Sequence, residues 1–181
     1  MPGQQWASSS GAWLITALVA GCGAHARGSF DGSIYREGDA IAFQVGHVPS
    51  SWHRVKVRGG SLAFRDAHND ASILVNARCT QSDNATPLVA LTNQLVIGST
   101  ERTIANQVTI PFDGREALHT TMRAKWDGVP MSLDIYVAKK DGCTYDFVYS
   151  GSPASFESGS AAFEQFVHGF RTLAGSGVVP G

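Results

Sequence analysis

Five side chains carry chemistry suited to proton transfer or anion capture: His119, Arg123, Asp134, Tyr136 and Tyr149. An imidazole beside a carboxylate can take and return a proton, and a guanidinium beside phenols can hold an anion. Whether they meet depends on the strands that carry them. Asp113-Gly114, Asp127-Gly128 and Asp141-Gly142 each separate runs rich in β-branched or aromatic residues. Asp-Gly supplies the positive φ angles of tight hairpins, so Thr103 to Ser150 reads as a four-stranded antiparallel meander. A two-residue turn at Asp141-Gly142 pairs Tyr136 with Phe147 and Ile135 with Val148, and alternation then sorts the faces.

Leu118, Thr120, Met122, Leu133, Ile135, Val137 and Val148 share one face, a core face. The other mixes aromatic with charged residues: His119, Thr121, Arg123, Asp134, Tyr136, Tyr145, Phe147 and Tyr149. This face could form a small pocket that binds an anion or does acid–base work. Alternatively Arg123 and Asp134 form a cross-strand ion pair and His119 stacks on Tyr136, all structural. Neither face is plainly solvated, so cover is expected on both: a helix layer on each, or a helix on one and the N-terminal segment on the other. Pro130 leaves open a two- or four-residue turn at Asp127. Ile104, Val108 and Ile110 would fall on the mixed face, which calls for a bulge or a longer loop at Asp113.

Trp52 to Val57, Ser61 to Arg65 and Ser72 to Arg78 read as short strands between Gly-Gly and Asn-Asp turns. Thr86-Pro87 is an N-cap and first-turn proline for a short helix carrying Leu88, Leu91 and Leu95 and stopped by Gly98. Past Pro153, Phe163, Phe166, Val167, Phe170 and Leu173 form one helical stripe, with Gly169 inside it.

No Gly-x-Ser-x-Gly, His-Glu-x-x-His or phosphate loop occurs, so a nucleophile or metal enzyme lacks its signature and no cofactor is expected. His25, His47, His53, His68 and His168 are scattered without ligand spacing and read as surface or cap residues. Lys and Arg number 14 against 15 Asp and Glu, a net charge of −1. Neither sign clusters along the chain, which disfavours a nucleic-acid partner.

Trp13 to Ala20 is an apolar run too short to span a membrane, and it ends in Val19-Ala20-Gly21-Cys22. That order resembles a bacterial lipobox, although no Lys or Arg precedes the run. The resemblance implies a signal peptide over 1–21 and lipidation of Cys22, and the small, polar stretch that follows suits a mobile tether over 22–32. A globular domain over 33–174 and a disordered tail over 175–181 follow. Gly23 after the cysteine tilts the expected location toward the outer rather than the inner membrane, facing the periplasm. Export also permits a Cys79–Cys143 disulfide, since a hairpin tip is a poor place for an unpaired thiol in an oxidising compartment. The alternative is two buried free thiols.

Strands, a helix, a long meander and a final helix ending Phe170-Arg171-Thr172-Leu173 together resemble the PsbP-like family. Its superfamily includes a nuclear Ran-binding factor and bacterial periplasmic lipoproteins. The resemblance runs from about Val48 to Leu173 and rests on Pro49 to Trp52, Asp113-Gly114-Arg115-Glu116-Ala117 and the Phe-rich final helix. It implies an α+β fold, an α/β/α sandwich on a central antiparallel sheet, and a non-catalytic accessory or binding role. It carries over no catalytic residue. The resulting expectation is a membrane-anchored periplasmic lipoprotein, held to membrane lipid through Cys22 and contacting a protein partner in the envelope. The alternatives are a small hydrolase-type enzyme using the His119 and Asp134 face, or a purely structural envelope lipoprotein.

Overall fold

The computed structural model describes residues 28–173. The expected signal peptide (1–21), Cys22, His25, most of the tether and the expected tail lie outside the described residues.

Three short strands open the chain: β1 (Ser29–Phe30), β2 (Ile34–Glu37) and β3 (Ile41–Gln44). β4 (His53–Val55), β5 (Leu62–Asp66) and β6 (Ala71–Arg78) follow, then two helices, α1 (Gln81–Asn84) and α2 (Leu88–Leu95). The meander is β7 (Thr100–Phe112), β8 (Arg115–Trp126), β9 (Val129–Lys140) and β10 (Cys143–Gly151). α3 (Phe156–His168) and β11 (Arg171–Thr172) complete the described chain. A seven-stranded antiparallel sheet runs β4-β5-β6-β10-β9-β8-β7, and a four-stranded sheet runs β1-β2-β3-β11. Ser29 and Phe30 pair with Arg36 and Tyr35, so strand pairing begins inside the stretch expected to be tether.

The three Asp-Gly turns set the register of the large sheet. Both residues of each have positive φ: 45° and 74° at Asp113-Gly114, 50° and 81° at Asp127-Gly128, 52° and 75° at Asp141-Gly142. Such two-residue turns match the right-handed twist of the strands they join. Trp126 pairs with Val129, so the Asp127 turn has two residues despite Pro130. The first meander strand is resolved by a bulge rather than a longer loop. Phe112 pairs with Arg115 across a two-residue turn, and the register shifts between Ile104 and Asn106. Val108 and Ile110 therefore stay on the mixed face, opposite His119 and Ala117, while Ile104 crosses to the face of Met122.

Two apolar clusters occupy the two sides of the sheet. Leu91 and Val96 pack with Met122, Ala124, Leu133, Ile135 and Val137, which covers the core face with α2. Thr86 does not cap this helix through its hydroxyl: Pro87 holds the cap position, and Thr86 Oγ1 donates to the Ser82 carbonyl at 3.2 Å. The larger cluster lies on the mixed face, where Phe163, Phe166, Val167 and Phe170 join Tyr145, Phe147, Tyr149, Ile73, Phe64, Tyr35 and Phe43. Burying each large side chain contributes roughly 1.5 to 3 kcal/mol as an upper value. The cover on this side is both α3 and the small sheet.

The helical stripe ends earlier than its spacing suggests. α3 stops at His168, Gly169 is its C-cap, and the Phe170 N–H donates to the Val167 carbonyl at 2.9 Å. Arg171 and Thr172 then pair with Gln44 and Phe43 of β3. The Thr172 N–H also donates to Asp113 Oδ2 at 2.8 Å, so strand partners take the backbone that a longer helix would have used. Gly46 lets the small sheet approach the helix. A Cβ there would sit 2.0 Å from the Gln165 carbonyl oxygen.

A disulfide joins Cys79, just past the end of β6, to Cys143 at the start of β10. Cys143 is buried, so the hairpin end is not the exposed tip expected, yet the bridge forms between these neighbouring strands.

Candidate functional site

The register places the five candidate residues on one face. His119 of β8 lies opposite Tyr136 of β9, Thr121 opposite Asp134, and Arg123 opposite Ser132. Tyr149 of β10 lies opposite Asp134. Three of the five make direct contact. His119 stacks on Tyr136 with ring centroids 4.1 Å apart and planes at 15°. Its Nε2 lies 2.6 Å from Asp134 Oδ1, reaching diagonally along the ladder. The ring stacking matches the structural alternative, but the carboxylate's partner does not. Asp134 pairs with His119, and Arg123 stands exposed on the strand.

The two tyrosines are taken up by the packing of α3. Tyr149 is fully buried, its ring lies 5.5 Å from that of Phe163, and its hydroxyl donates to the Phe156 carbonyl at 2.6 Å. Gly159 admits that phenol, since a Cβ there would lie 2.4 Å from the Tyr149 oxygen. Burial, with nearby carboxylates adding to it, pushes the Tyr149 phenol up to about 12. Tyr136 packs edge-on against Phe163 at 5.8 Å. Burial first, then the Asp134 charge, raises its phenol far above the usual range. Both phenols are therefore neutral, serving as ring surface rather than as bases. Asp134 is 6% exposed. An imidazole–carboxylate pair at hydrogen-bond distance is the usual beginning of acid–base machinery; here the His119 side chain keeps 20% of its surface exposed, while the two phenols beside the pair pack against α3.

Two concavities lie elsewhere, and none of the five residues lines either. One, of about 290 Å³, is apolar and bounded by Leu95, Trp126, Val129, Met131, Leu133 and Val148. The other, of about 690 Å³, opens between β2 and the edge strand β4 with its continuation. Arg54, Lys56 and Arg58 all line it, with Glu37 as the one carboxylate among its walls. This corrects the expectation that neither charge sign clusters. The three cations stand at i, i+2 and i+4, a spacing that could have drawn attention to them in the sequence; β4 ends at Val55, and Arg58 lies in the turn that follows. Tyr35 Oη donates to Glu37 Oε2 at 2.7 Å in this groove. Burial and that carboxylate push the phenol up to about 12. Arg54 is held over the Phe30 ring, 5.4 Å from its centroid.

His47, His53, His68 and His168 are exposed. Among the described residues no three His, Cys, Asp or Glu side chains gather as metal ligands, and no helix is long and apolar enough to cross a membrane.

An antiparallel sheet with a long meander, α2 on one side and the C-terminal α3 with the small sheet on the other, is an α+β fold, and solved structures that share it include PsbP. Solved structures of this shape come from distant organisms. Cyanobacterial PsbP (CyanoP) from Synechocystis sp. PCC 6803 superposes with a TM-score of 0.57 at 16% identity, over 86% of this chain and 99% of that one. LpqN, involved in cell envelope biogenesis of Mycobacterium tuberculosis, gives 0.54 at 8% identity, over 75% of this chain and 86% of that one. A Bacteroides thetaiotaomicron protein gives 0.54 at 9% identity, over 80% of this chain and 49% of that one. No protein-family model matches the sequence, and no curated protein sequence matches it.

Proposed function

We propose that this chain is a non-catalytic envelope protein, anchored by lipid at Cys22, whose PsbP-like domain serves as an accessory or binding subunit on the periplasmic side of a bacterial membrane. The observation that carries the non-catalytic reading is how the surroundings of the His119–Asp134 pair are used. Its ring partner Tyr136 and its neighbour Tyr149 are spent on contacts with α3, and neither concavity reaches it. Support for the envelope comes from the lipobox-like Val19-Ala20-Gly21-Cys22 and from the fold shared with a protein named for envelope biogenesis. The Cys79–Cys143 disulfide suits an oxidising compartment. Two or three acyl chains on Cys22, at about 0.8 kcal/mol per buried CH₂, would anchor the domain stably.

Cell fractionation tests this reading. The parent chain is expected in the membrane fraction and Cys22→Ser in the soluble fraction, with the disulfide intact in both. A Cys22→Ser variant that sediments as the parent does would overturn the anchor.

A further inference from the structure

The Arg54–Lys56–Arg58 groove holds none of the five candidate site residues, and its composition runs against that of the whole chain. Three cations and one carboxylate line it, whereas the whole chain carries a net charge of −1. Val55 and Val57, between the cations, are 39% and 43% exposed. Cations interleaved with exposed aliphatic side chains suit the boundary between lipid head groups and acyl chains. The groove also lies where the chain enters the described structure, because Gly28 is one of its lining residues. Six residue steps separate Gly28 from Cys22. Even fully extended, they reach only about 20 Å.

We propose that this groove is a docking site for the head group of an anionic phospholipid, which seats the domain against the membrane beside its own anchor. The inference rests on the Cys22 reading for proximity, since a lipid at that residue holds the groove within reach of the head groups. The phosphate would take the place of water among Arg54, Lys56 and Arg58, as guanidinium and ammonium groups favour phosphate oxygens. Gly59 and Gly60 leave the rim beside Arg58 without bulky side chains. A soluble phosphorylated ligand would use the same chemistry. The position of Gly28 and the exposed valines favour the lipid.

Vesicle sedimentation of the mature chain carrying Cys22→Ser tests the groove without any anchor, so its result is independent of whether Cys22 is acylated in cells. Binding is expected to phosphatidylcholine vesicles containing phosphatidylglycerol, weakening as salt rises, and not to phosphatidylcholine alone. A basic residue near an anionic surface strengthens binding about fivefold, so Arg54→Gln/Lys56→Gln/Arg58→Gln is expected to lose ~100-fold. Lys56→Gln/Arg58→Gln, which keeps Arg54 over Phe30, is expected to lose ~25-fold and guards against a folding defect at β4. Arg115→Gln/Arg123→Gln, exposed on β8 near the opposite edge of the sheet, should bind as the parent does. Equal binding to both vesicle types, groove variants that bind unchanged, or a β8 variant that loses as much would each overturn the proposal. So would release of the protein from vesicles by inorganic phosphate at low concentration, because the groove would then take a soluble anion.

Discussion

Gly46→Ala probes the contact that closes α3 over the aromatic face. The Gly46 N–H donates to the Phe166 carbonyl at 2.9 Å. An added Cβ would stand 2.0 Å from the Gln165 oxygen, 2.9 Å from its carbonyl carbon and 3.1 Å from the Phe166 Cα. All three are backbone atoms, so no rotamer change relieves the clash. The helix and residue 46 must separate by more than about 1 Å, and close-packed interiors do not absorb such a shift without losing contacts. Phe163, Phe166 and Val167, each fully buried, are the side chains that lose them. Overpacking costs about 1 to 3 kcal/mol and the weakened backbone hydrogen bond about 1 more, so roughly 2 to 4 kcal/mol is expected. That is a large share of the roughly 5 to 15 kcal/mol that holds a domain folded. Urea unfolding followed by fluorescence of the buried Trp52 should show the midpoint falling by about 1 to 2 M. An alanine variant within about 0.5 kcal/mol of the parent would refute the reasoning, since the helix would not then be held down at this point.

Replacing Cys79 and Cys143 together by Ala should lower stability by about 4 kcal/mol in the chain-entropy model, measured by denaturation, and alkylation of the denatured, unreduced parent should find neither thiol free. At Asp113, burial alone would raise the carboxyl, but Lys140, the Thr172 N–H and Arg171 outweigh it and hold it below its ordinary 3.8. Its contribution is therefore present above the unfolded value and lost as pH falls through the lower folded value, so Asp113→Asn should be less stable than the parent at neutral pH and converge with it in strong acid. His119→Ala leaves the Asp134 carboxylate buried without its partner and should cost about 1 to 3 kcal/mol by thermal or urea unfolding, with membrane association unchanged.

The meander was legible because its information is local. Each Asp-Gly pair fixes a two-residue turn, and side-chain parity carries that register through β8, β9 and β10 to the pairing of Tyr136 with Phe147. The small sheet was not legible. Ile34–Glu37 and Ile41–Gln44 are only four residues each, and although they pair with each other and with nearby Phe30, the sheet is completed by Thr172, a partner far along the chain that no local pattern announces. The end of α3 was hidden for a similar reason. Phe170 keeps its place in the apolar stripe, while the backbone beyond Gly169 is captured by β3 and Asp113.

At the candidate site, the sequence placed His119, Asp134 and Tyr136 on one face, and it offered the His119–Tyr136 stack. The choice of His119 over Arg123 as partner to Asp134 depends on a diagonal reach between neighbouring strands, which pair registers do not settle. Closure of the face depends on α3, whose docking requires Gly46 and Gly159 at close approach. The groove escaped because a charge count along the chain averages out three cations that the end of β4 and the turn after it bring to one groove.

The identity of the mature N-terminus tests the central claim most directly. Protein isolated from membranes, digested and analysed by intact-peptide mass spectrometry, is predicted to yield an N-terminal peptide beginning at Cys22 and carrying a thioether-linked diacylglyceryl group. A chain that still begins at Met1, or a peptide that begins at Cys22 with an unmodified thiol, would contradict the account of a lipid-anchored envelope protein.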